Sequence, residues 1–276
     1  MNDLMVVVVV YNKKIFDLSI IKQNVLLKEK SIDIFIYDNS IESQETPEVE
    51  GVNFYYLHDK SNAGVSKAYN VGIKKAKELN KKYVLLLDQD SSILASDLEK
   101  YLVLAERYGE NYIYAPVMYN NNKIYSPAYV NHFIGKVQDL STFVYKEIYS
   151  LNQQSLINSG LMIPIKLINL MGGFNENIKL DFSDYYFIEK YKKINSDIIL
   201  LDLYVQHSLS GDEGKNFLAE MLRYKYYCNG AKFFNISTDE FRLIPAFRRM
   251  LRLIIKYKSL KPINIFIGYF IGNKRI

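Results

Sequence analysis

The stretch SNAGVSKAYNVGIKKAKELN, residues 61–80, followed closely by YVLLL, residues 83–87, decides the fold class. The first segment opens with a loop of small residues and continues as an amphipathic helix, because its apolar residues recur at helical spacing. The second segment is a short apolar run, typical of a buried strand. A loop, a helix and a buried strand in this order predict a βαβ crossover and a parallel sheet.

The same alternation extends upstream of this unit. A helix is predicted over residues 15–30, and strands are predicted at three apolar runs, residues 4–10, 32–38 and 53–58. The run LMVVVVV at residues 4–10 has no polar face, which indicates a strand buried on both sides. The N-terminal part of the chain therefore contains the repeating core of an α/β sheet.

Downstream of about residue 110 the pattern is less regular. A strand interrupted by a break of small residues is predicted over 155–164, and a second strand over 197–207. A loop running into a helix is predicted over 172–193. From Gly214 onward the spacing is helical. The predicted fold is α/β, a mainly parallel mixed sheet flanked by helices with a C-terminal helical extension, divided into residues 1–210 and 211–276.

Composition limits the compartment and the membrane topology. A chain of 276 residues that is 49% hydrophobic can bury a sizeable core. The one cysteine, Cys228, forms no intrachain disulfide, and the apolar start carries Asp3 rather than a basic n-region. Both features favour a reducing, cytoplasmic compartment. No apolar run approaches the roughly 18 residues of a membrane-spanning helix.

Polar side chains cluster where predicted strands end. Tyr11 and Asn12 follow the first strand, Asp38 ends the second, and Asp88-Gln89-Asp90 follows the fourth. Ligands of open α/β sheets bind at this edge. Two aspartates one residue apart at a strand end project to the same side, and hard oxygen ligands suit Mg²⁺ or Mn²⁺. Aspartate is also common in turns and helix caps, so metal binding and capping both remain open.

Several motifs occur together in an order that resembles inverting glycosyltransferases of family 2. The motifs are VVVVVYN at 6–12, DNS at 38–40, NAGVSKAYNVGI at 62–73, LLLDQDSS at 85–92, NSGLMIP at 158–164, GGFNE at 172–176, DFSDYYF at 181–187 and HSLSG at 207–211. The resemblance covers about residues 4–211 and is nearest to the rhamnosyltransferase-like branch. It implies the A-type nucleotide-sugar fold.

The resemblance also implies a role for each motif. The residues expected to contact the nucleotide sugar are Tyr11, Asn12, Asp38, Asn62, Gly64, Asp88, Gln89, Ser159, Gly160 and Asp181. Asp181 belongs to the acceptor side of that set. The metal ligands implied are Asp88, Asp90 and His207, and the implied catalytic base is Asp184. Relatives often carry a second acid two residues after the base, where this chain has Tyr186.

These roles suit the chemistry of glycosyl transfer. A divalent cation stabilises the negative charge of the leaving diphosphate. A carboxylate on the opposite face of the sugar takes the proton of the acceptor hydroxyl. Asp184 lies in a segment distinct from the metal motif, as such a base should. Three structural alternatives stay open: Asp184 as a helix cap, His207 as a hydrogen-bonded histidine at a strand end, and Asn158-Ser159-Gly160 as a bend that needs small residues.

The C-terminal region is strongly basic. No acidic residue follows Glu240, whereas nine cationic residues do. Helical spacing over residues 242–258 gives the predicted helix two different faces. The apolar face carries Leu243, Phe247, Met250, Leu251 and Ile254. The opposite, cationic face carries Arg242, Arg249, Arg252 and Lys256. This pattern predicts contact with the anionic inner face of the cell membrane, with packing on the catalytic domain as the alternative. No nucleic-acid-binding motif accompanies the charge.

The predicted function is transfer of a sugar, rhamnose or a hexose, from a dTDP- or UDP-linked donor. The acceptor expected is a hydroxyl of a surface polysaccharide or lipid-linked oligosaccharide. Two alternatives compete with this. LLLDQDSS also resembles the motif of haloacid-dehalogenase-type phosphohydrolases, in which Asp88 would be the nucleophile, although that motif normally lies on the first strand. The other alternative is an inactive, membrane-bound nucleotide-sugar-binding protein.

Overall fold

The centre of the protein is a mixed β-sheet, seen in a computed structural model that describes residues 3–22, 32–129, 136–207, 216–238, 243–272 and 274. Within these residues the strands are β1 (Leu4–Val10), β2 (Ile32–Asp38), β3 (Val52–His58), β4 (Tyr83–Asp88), β5 (Tyr114–Asn120), β6 (Lys123–Tyr129), β7 (Lys136–Asp139), β8 (Ile148–Ser150), β9 (Gln154–Ser155), β10 (Met162–Pro164) and β11 (Asp197–Gln206).

Helices flank the sheet and form the C-terminal region. They are α1 (Ser19–Lys22), α2 (Val65–Glu78), α3 (Leu98–Tyr108), α4 (Ile165–Met171), α5 (Ser183–Lys192), α6 (Phe217–Thr238), α7 (Leu243–Tyr257) and α8 (Lys261–Ile265), which continues as a π-helix over Phe266–Ile271. None of the described helices is long and apolar enough to cross a membrane. The α/β class and the helical C-terminal extension are both confirmed.

The order of strands across the sheet is β3-β2-β1-β4-β10-β5-β11-β8. The first four strands are parallel, and β5 and β11 are parallel to each other. The short strand β10 is antiparallel to both β4 and β5 and joins the two parallel blocks. Strands β6, β7 and β9 form an antiparallel side sheet that extends from β5. The sheet is thus mixed, with its larger parallel block in the N-terminal half and a smaller one formed by β5 and β11.

Strand β1 is buried on both faces, as its sequence predicts. Leu4, Val6 and Val8 pack in one hydrophobic cluster, and Met5 and Val7 pack in the other. Helix α2 covers the second face at close range. A Cβ on Gly72 would lie 2.4 Å from Val7 Cγ1, so a larger residue there would force the helix away from the strand.

A third hydrophobic cluster joins the C-terminal helices to the rest of the protein. It includes Met250 of α7 and Phe234 of α6, and also Ile178 and Phe182 from the segment before α5. The segment predicted to lead into a helix is therefore covered by the C-terminal region. The predicted division at residue 210 falls between elements that share a core.

Two predicted elements differ from the observed ones. The interrupted strand predicted over 155–164 is two separate short strands, β9 and β10, and the predicted break lies at Gly160, which has φ +86° and turns the chain between them. The predicted helix over 15–30 begins as a 3₁₀ turn at Ile15–Asp17 followed by α1, and residues 23–30 lie outside the described part of the chain.

Candidate active site

The parallel pairing of β1, β2 and β4 brings their carboxyl ends to one edge. Val10 is level with Asp38 on one side, and Val9 is level with Asp88 on the other. Tyr11 follows directly after β1 and is 47% exposed. Three motifs far apart in sequence therefore meet at a single edge of the sheet, where the sequence predicts nucleotide binding.

Asp38 is fully buried and rich in hydrogen bonds. Its Oδ1 accepts from the Ser40 amide at 2.9 Å, and its Oδ2 accepts from the Tyr56 hydroxyl at 2.9 Å and Gln44 Nε2 at 3.1 Å. The Ser40 hydroxyl in turn accepts from the Asn12 amide at 2.8 Å. In this structure Asp38 holds the loop after β2 in place, and its predicted contact with the nucleotide stays a prediction.

Gln89 connects the aspartate motif to the end of β1. Its Oε1 accepts from the Tyr11 amide at 2.6 Å, and its backbone carbonyl accepts from Lys13 Nζ at 2.6 Å. Asn12 adopts φ +55°, which turns the chain out of the strand. The loop after β1 and the loop after β4 therefore form one continuous wall.

Gly64 provides a close contact between α2 and the segment before α5. A Cβ at Gly64 would lie 2.3 Å from the carbonyl oxygen of Lys179, and the Val65 amide donates to that same oxygen at 2.8 Å. Asn62 nearby has φ +48°. The small-residue turn at 62–64 thus joins the predicted nucleotide wall to the predicted acceptor side.

Asp88 and Asp90 do not cap the next helical turn. The turn at Ala95–Asp97 is capped by its own Asp97, whose Oδ2 accepts from the Leu94 amide at 3.0 Å. Asp88 Oδ1 instead accepts from the Tyr69 hydroxyl of α2 at 2.6 Å. Burial, followed by the charge of Asp90, raises the pKa of Asp88 to about 6.

Asp90 and His207 approach each other across the ends of β4 and β11. Nδ1 of His207 lies 3.5 Å from Asp90 Oδ1, a buried oxygen that has no hydrogen-bond partner among the described residues. Ser91 and His207 form an isolated backbone bridge, and the Ser91 hydroxyl is 3.2 Å from His207 Nδ1. The other side of Ser91 contacts the Ser159 hydroxyl at 2.6 Å.

These groups fit a divalent cation in part. A carboxylate oxygen without a partner and an imidazole suit Mn²⁺ or Mg²⁺. Among the residues that the structure describes, no three His, Cys, Asp or Glu side chains gather closely enough to form a complete ion site. Mg²⁺ typically keeps few protein ligands and takes the rest from phosphates and water. Asp90 and His207 would thus be the protein ligands of an ion whose other ligands come from a diphosphate and water.

The turn at Ser159 and Gly160 contacts the backbone of β4, the strand that leads into the aspartate motif. The Ser159 hydroxyl accepts from the Asp88 amide at 2.8 Å. The Gly160 amide donates to Leu86 at 2.7 Å, and its carbonyl accepts from the buried Tyr101 hydroxyl at 2.8 Å. The structure thus places both residues against the backbone of β4, where they fix its end. Their predicted contact with the nucleotide sugar stays a prediction.

Asp184 lies in the first turn of α5, facing the aspartate motif. Its Oδ1 accepts from the Tyr185 amide at 2.8 Å, so it does stabilise the helix start. Burial and then the charges of Asp181 and Asp88 raise its pKa to about 7, despite the opposing hydrogen bond from Tyr185. A carboxyl group with this pKa can accept a proton near neutral pH.

Asp181 forms an ion pair that the sequence did not predict. Arg223 of α6 donates Nε to Oδ2 at 2.9 Å and Nη2 to Oδ1 at 3.0 Å. Nearby, a Cβ on Gly230 would lie 2.2 Å from the Asp181 carbonyl. Asp181 thus anchors the segment before α5 to the C-terminal helices. Its predicted contact with the acceptor stays a prediction. No motif surrounds Arg223, so the sequence offered no signal for it.

Tyr69 is the other functional residue that sequence reasoning missed. Its hydroxyl is fully buried, and burial followed by the charges of Asp88, Asp184 and Asp90 holds its pKa well above the usual range. The charges of all three acids therefore act on this one hydroxyl. The sequence signal for Tyr69 was a hydroxyl group on the buried face of the helix that follows the turn at residues 62–64.

Comparisons with known proteins agree with this fold. TarS 1-349 from S. aureus has a TM-score of 0.53 and 14% identity, covering 97% of this chain and 72% of that one. GalNAc-T7, solved with UDP, GalNAc and Mn²⁺, has a TM-score of 0.54 and 13% identity, covering 96% of this chain and 57% of that one. At such identities the likeness concerns the fold alone. No curated protein matches the sequence.

The family follows from the sequence. The model described as "Glycosyl transferase family 2" matches residues 5–166, more than half of the chain, and the protein belongs to that family. The phosphohydrolase alternative is therefore wrong. Its motif would begin a sheet on the first strand, whereas Asp88 here ends the fourth strand along the chain.

Proposed function

We propose that this protein is an inverting, metal-dependent glycosyltransferase. It would move rhamnose or a hexose from a dTDP- or UDP-linked donor to a hydroxyl of a surface polysaccharide or a lipid-linked oligosaccharide. The observation that carries the proposal is that the Tyr69 hydroxyl donates to Asp88, with Asp184 and Asp90 close enough for their charges to raise its pKa. Two of these acids come from the strand end and one comes from a helix start, so they can face opposite sides of a bound sugar.

The roles of the side chains follow from this arrangement. Asp184 would take the proton of the acceptor hydroxyl as the new glycosidic bond forms and the bond to the diphosphate breaks. Tyr69 would orient Asp88 through its 2.6 Å hydrogen bond. The wall formed by Tyr11 and Gln89 would bind the nucleoside.

Asp90 and His207 would hold Mg²⁺ or Mn²⁺, with Asp88 close by. When bound, the ion supplies positive charge to the leaving diphosphate. The partnerless oxygen of Asp90 supports this assignment, because a buried carboxylate oxygen is costly unless a ligand satisfies it.

The donor is proposed from two sources. The motif order resembles the rhamnosyltransferase-like branch, which favours dTDP-rhamnose. TarS has also been solved in complex with UDP-GlcNAc, and that structure has a TM-score of 0.50 and 12% identity, covering 97% of this chain and 79% of that one. A UDP-hexose is the next candidate.

The C-terminal helices supply a surface suited to the inner face of the cell membrane, which would place the protein in the cytoplasm. The predicted apolar face of α7 divides in the structure: Met250 is buried against α6, whereas Phe247 and Leu251 are exposed. These two belong to an apolar stripe of Ile244, Phe247, Leu251 and Ile255, spaced three to four residues apart. Arg252 is exposed beside it. An apolar stripe next to cations fits an anionic lipid surface.

Vesicle sedimentation tests the membrane assignment. We expect wild type to sediment with phosphatidylglycerol vesicles and to lose binding as salt rises, because salt screens the attraction. Replacing Phe247 and Leu251 by Ser should weaken sedimentation, whereas Leu170→Ser, an exposed leucine on α4, should not. Equal sedimentation of both variants would refute the assignment. Point changes are preferable to deletion, since α7 also forms part of a buried cluster.

A thermal-shift panel tests the enzymatic proposal. Nucleotide sugars, including dTDP-rhamnose, UDP-glucose and UDP-GlcNAc, would be added with and without Mn²⁺. A bound ligand raises stability by mass action, so at least one donor should raise the melting temperature, and more so with Mn²⁺. Release of the nucleoside diphosphate during incubation with that donor then distinguishes an enzyme from an inactive binding protein. No shift with any donor would contradict the proposal.

A further inference from the structure

A groove of about 540 Å³ lies away from the aspartate motif, beside the antiparallel side sheet. This volume is within the range of small-molecule sites. The lining residues come from β6 through β9 and the loops between them: Tyr129, Gln138, Phe143, Val144, Lys146, Tyr149, Ser150, Asn152, Gln153 and Gln154. Nothing in the proposed transfer reaction uses these side chains.

The lining combines aromatic rings with side-chain amides. The rings of Phe143 and Tyr149 lie 6.1 Å apart between centroids, and Tyr129 is 40% exposed. Four amide side chains and one cation, Lys146, complete the lining, and none of the lining residues is acidic. Aromatic faces match the C–H faces of a sugar ring, and amides both donate to and accept from its hydroxyls.

The Gln154 side chain leaves one hydrogen-bond acceptor of the groove without a donor. The residue is 6% exposed, and its side chain hydrogen-bonds the Tyr149 hydroxyl. Its Oε1 has no hydrogen-bond partner among the described residues. Buried amide oxygens are normally satisfied, so a hydroxyl donor would complete this one.

A short run of chain connects the groove to the start of α5, where Asp184 lies. Gln154 pairs with Tyr129 in the side sheet, and four residues later Asn158 donates Nδ2 to the Ser183 hydroxyl at 3.4 Å. Ser183 precedes Asp184. The stretch from Gln154 to Asn158 spans at most about 14 Å. The Asn158–Ser183 contact and the step to Asp184 add to this, and an oligosaccharide is long enough to extend from Asp184 to the groove.

We propose that this groove binds a sugar residue of the acceptor, one that lies behind the reacting hydroxyl in the saccharide chain. The inference rests on the proposed function, because only a transferase has an acceptor. A neutral saccharide fits better than a nucleotide, since one lysine is the only cation of the lining. The groove would thus select polymeric or oligosaccharide acceptors over single sugars at low concentration.

Saturation-transfer NMR tests this site directly. The probes are methyl α-rhamnoside, methyl α-glucoside, N-acetylglucosamine and N-acetylgalactosamine, without nucleotide. We expect transfer from wild type to at least one probe, and binding about tenfold weaker in Tyr149→Ala and in Gln138→Ala. Tyr204→Ala, an exposed tyrosine on β11, is the matched control and should bind normally. Saturating UDP should not displace the probe.

The outcomes separate the groove from the transferase proposal. If no probe receives saturation, or if the groove variants bind as well as wild type, the groove is not a sugar site. A probe displaced by UDP occupies the donor site, which also overturns the inference. Donor binding is measured on the same samples by thermal shift. A donor that binds while every glycoside fails overturns the groove alone. A glycoside that binds the groove while no donor binds overturns the transferase proposal, and the groove is then a saccharide site without the acceptor role.

Discussion

Asp38 lies at the same edge of the sheet as the acids near Tyr69, which are Asp88, Asp90 and Asp184. The two sets differ in how many hydrogen bonds satisfy their carboxylates. Asp38 receives three hydrogen bonds from Ser40, Gln44 and Tyr56. Asp90, by contrast, has a buried oxygen with no partner among the described residues. One carboxylate is satisfied by the protein itself, and the other is left for a ligand.

The difference has an energetic meaning. A buried carboxylate with several donors stabilises the folded state. A buried carboxylate with few donors and acidic neighbours is destabilised as an anion, which is why the pKa of Asp88 rises to about 6 and that of Asp184 to about 7. We propose that Asp38 stabilises the loop after β2, in addition to its predicted contact with the nucleotide, and that Asp88, Asp90 and Asp184 take part in the chemistry.

The largest expected effect concerns Asp184. Asp184→Asn should lower transfer to the acceptor by roughly 10²–10⁴-fold, the usual contribution of a general base. Donor affinity should change by no more than a few-fold, and an Asn side chain can still accept from the Tyr185 amide. The measurements are steady-state transfer rates and donor titration. Surviving transfer would place the base elsewhere, and a collapse of donor binding would move Asp184 to the nucleotide site.

The next effect concerns the oxygen of Asp90. At a donor concentration a hundredfold above its dissociation constant, binding stabilises the folded state by about 2.7 kcal/mol. Asp90→Ala should lose the part of this gain that depends on Mn²⁺, measured by thermal shift with a nucleoside diphosphate. A variant that still responds to Mn²⁺ as strongly as wild type would remove Asp90 from the metal site.

Asp38 should behave in the opposite way. Asp38→Asn exchanges a charged acceptor for an amide whose NH₂ group faces hydrogen-bond donors, so the free energy of unfolding should fall by about 2 kcal/mol without any ligand. Asp202→Asn, an exposed acid on β11, is the matched control and should change little. Urea unfolding measures both. Equal stability of the two variants would end the contrast between Asp38 and the other acids.

A further effect is the pH dependence of stability, which requires no ligand. Because the pKa of Asp184 is about 7 when folded and near 3.8 when unfolded, the folded state holds an extra proton between these values. Wild-type stability contributed by this group therefore falls as pH rises from about 4 through 7. Asp184→Asn should match wild type near pH 4 and exceed it at pH 8, in urea unfolding with EDTA. Parallel curves would contradict the raised pKa.

Most of the sheet edge that carries the aspartates could be predicted from sequence. The strand at residues 4–10, the aspartates at strand ends and the order of motifs all depend on patterns within a few residues. The break at Asn158-Ser159-Gly160 was also predictable from its small residues, and Gly160 there has a positive φ. The sequence did not show that the break separates two strands with different partners, β6 for β9 and β4 for β10. Partners lie far away along the chain, so local periodicity does not reveal them.

The sequence by itself determined the α/β class, the sheet edge that gathers Asp38, Asp88 and Asp90, and the family. Only the tertiary structure decided that Arg223 of α6 pairs with Asp181 and that Tyr69 contacts Asp88. Local periodicity reflects burial along one element, so it specifies strands and helices. A contact between residues 42 positions apart, such as Asp181 and Arg223, depends on how whole elements pack together, and no local pattern encodes it.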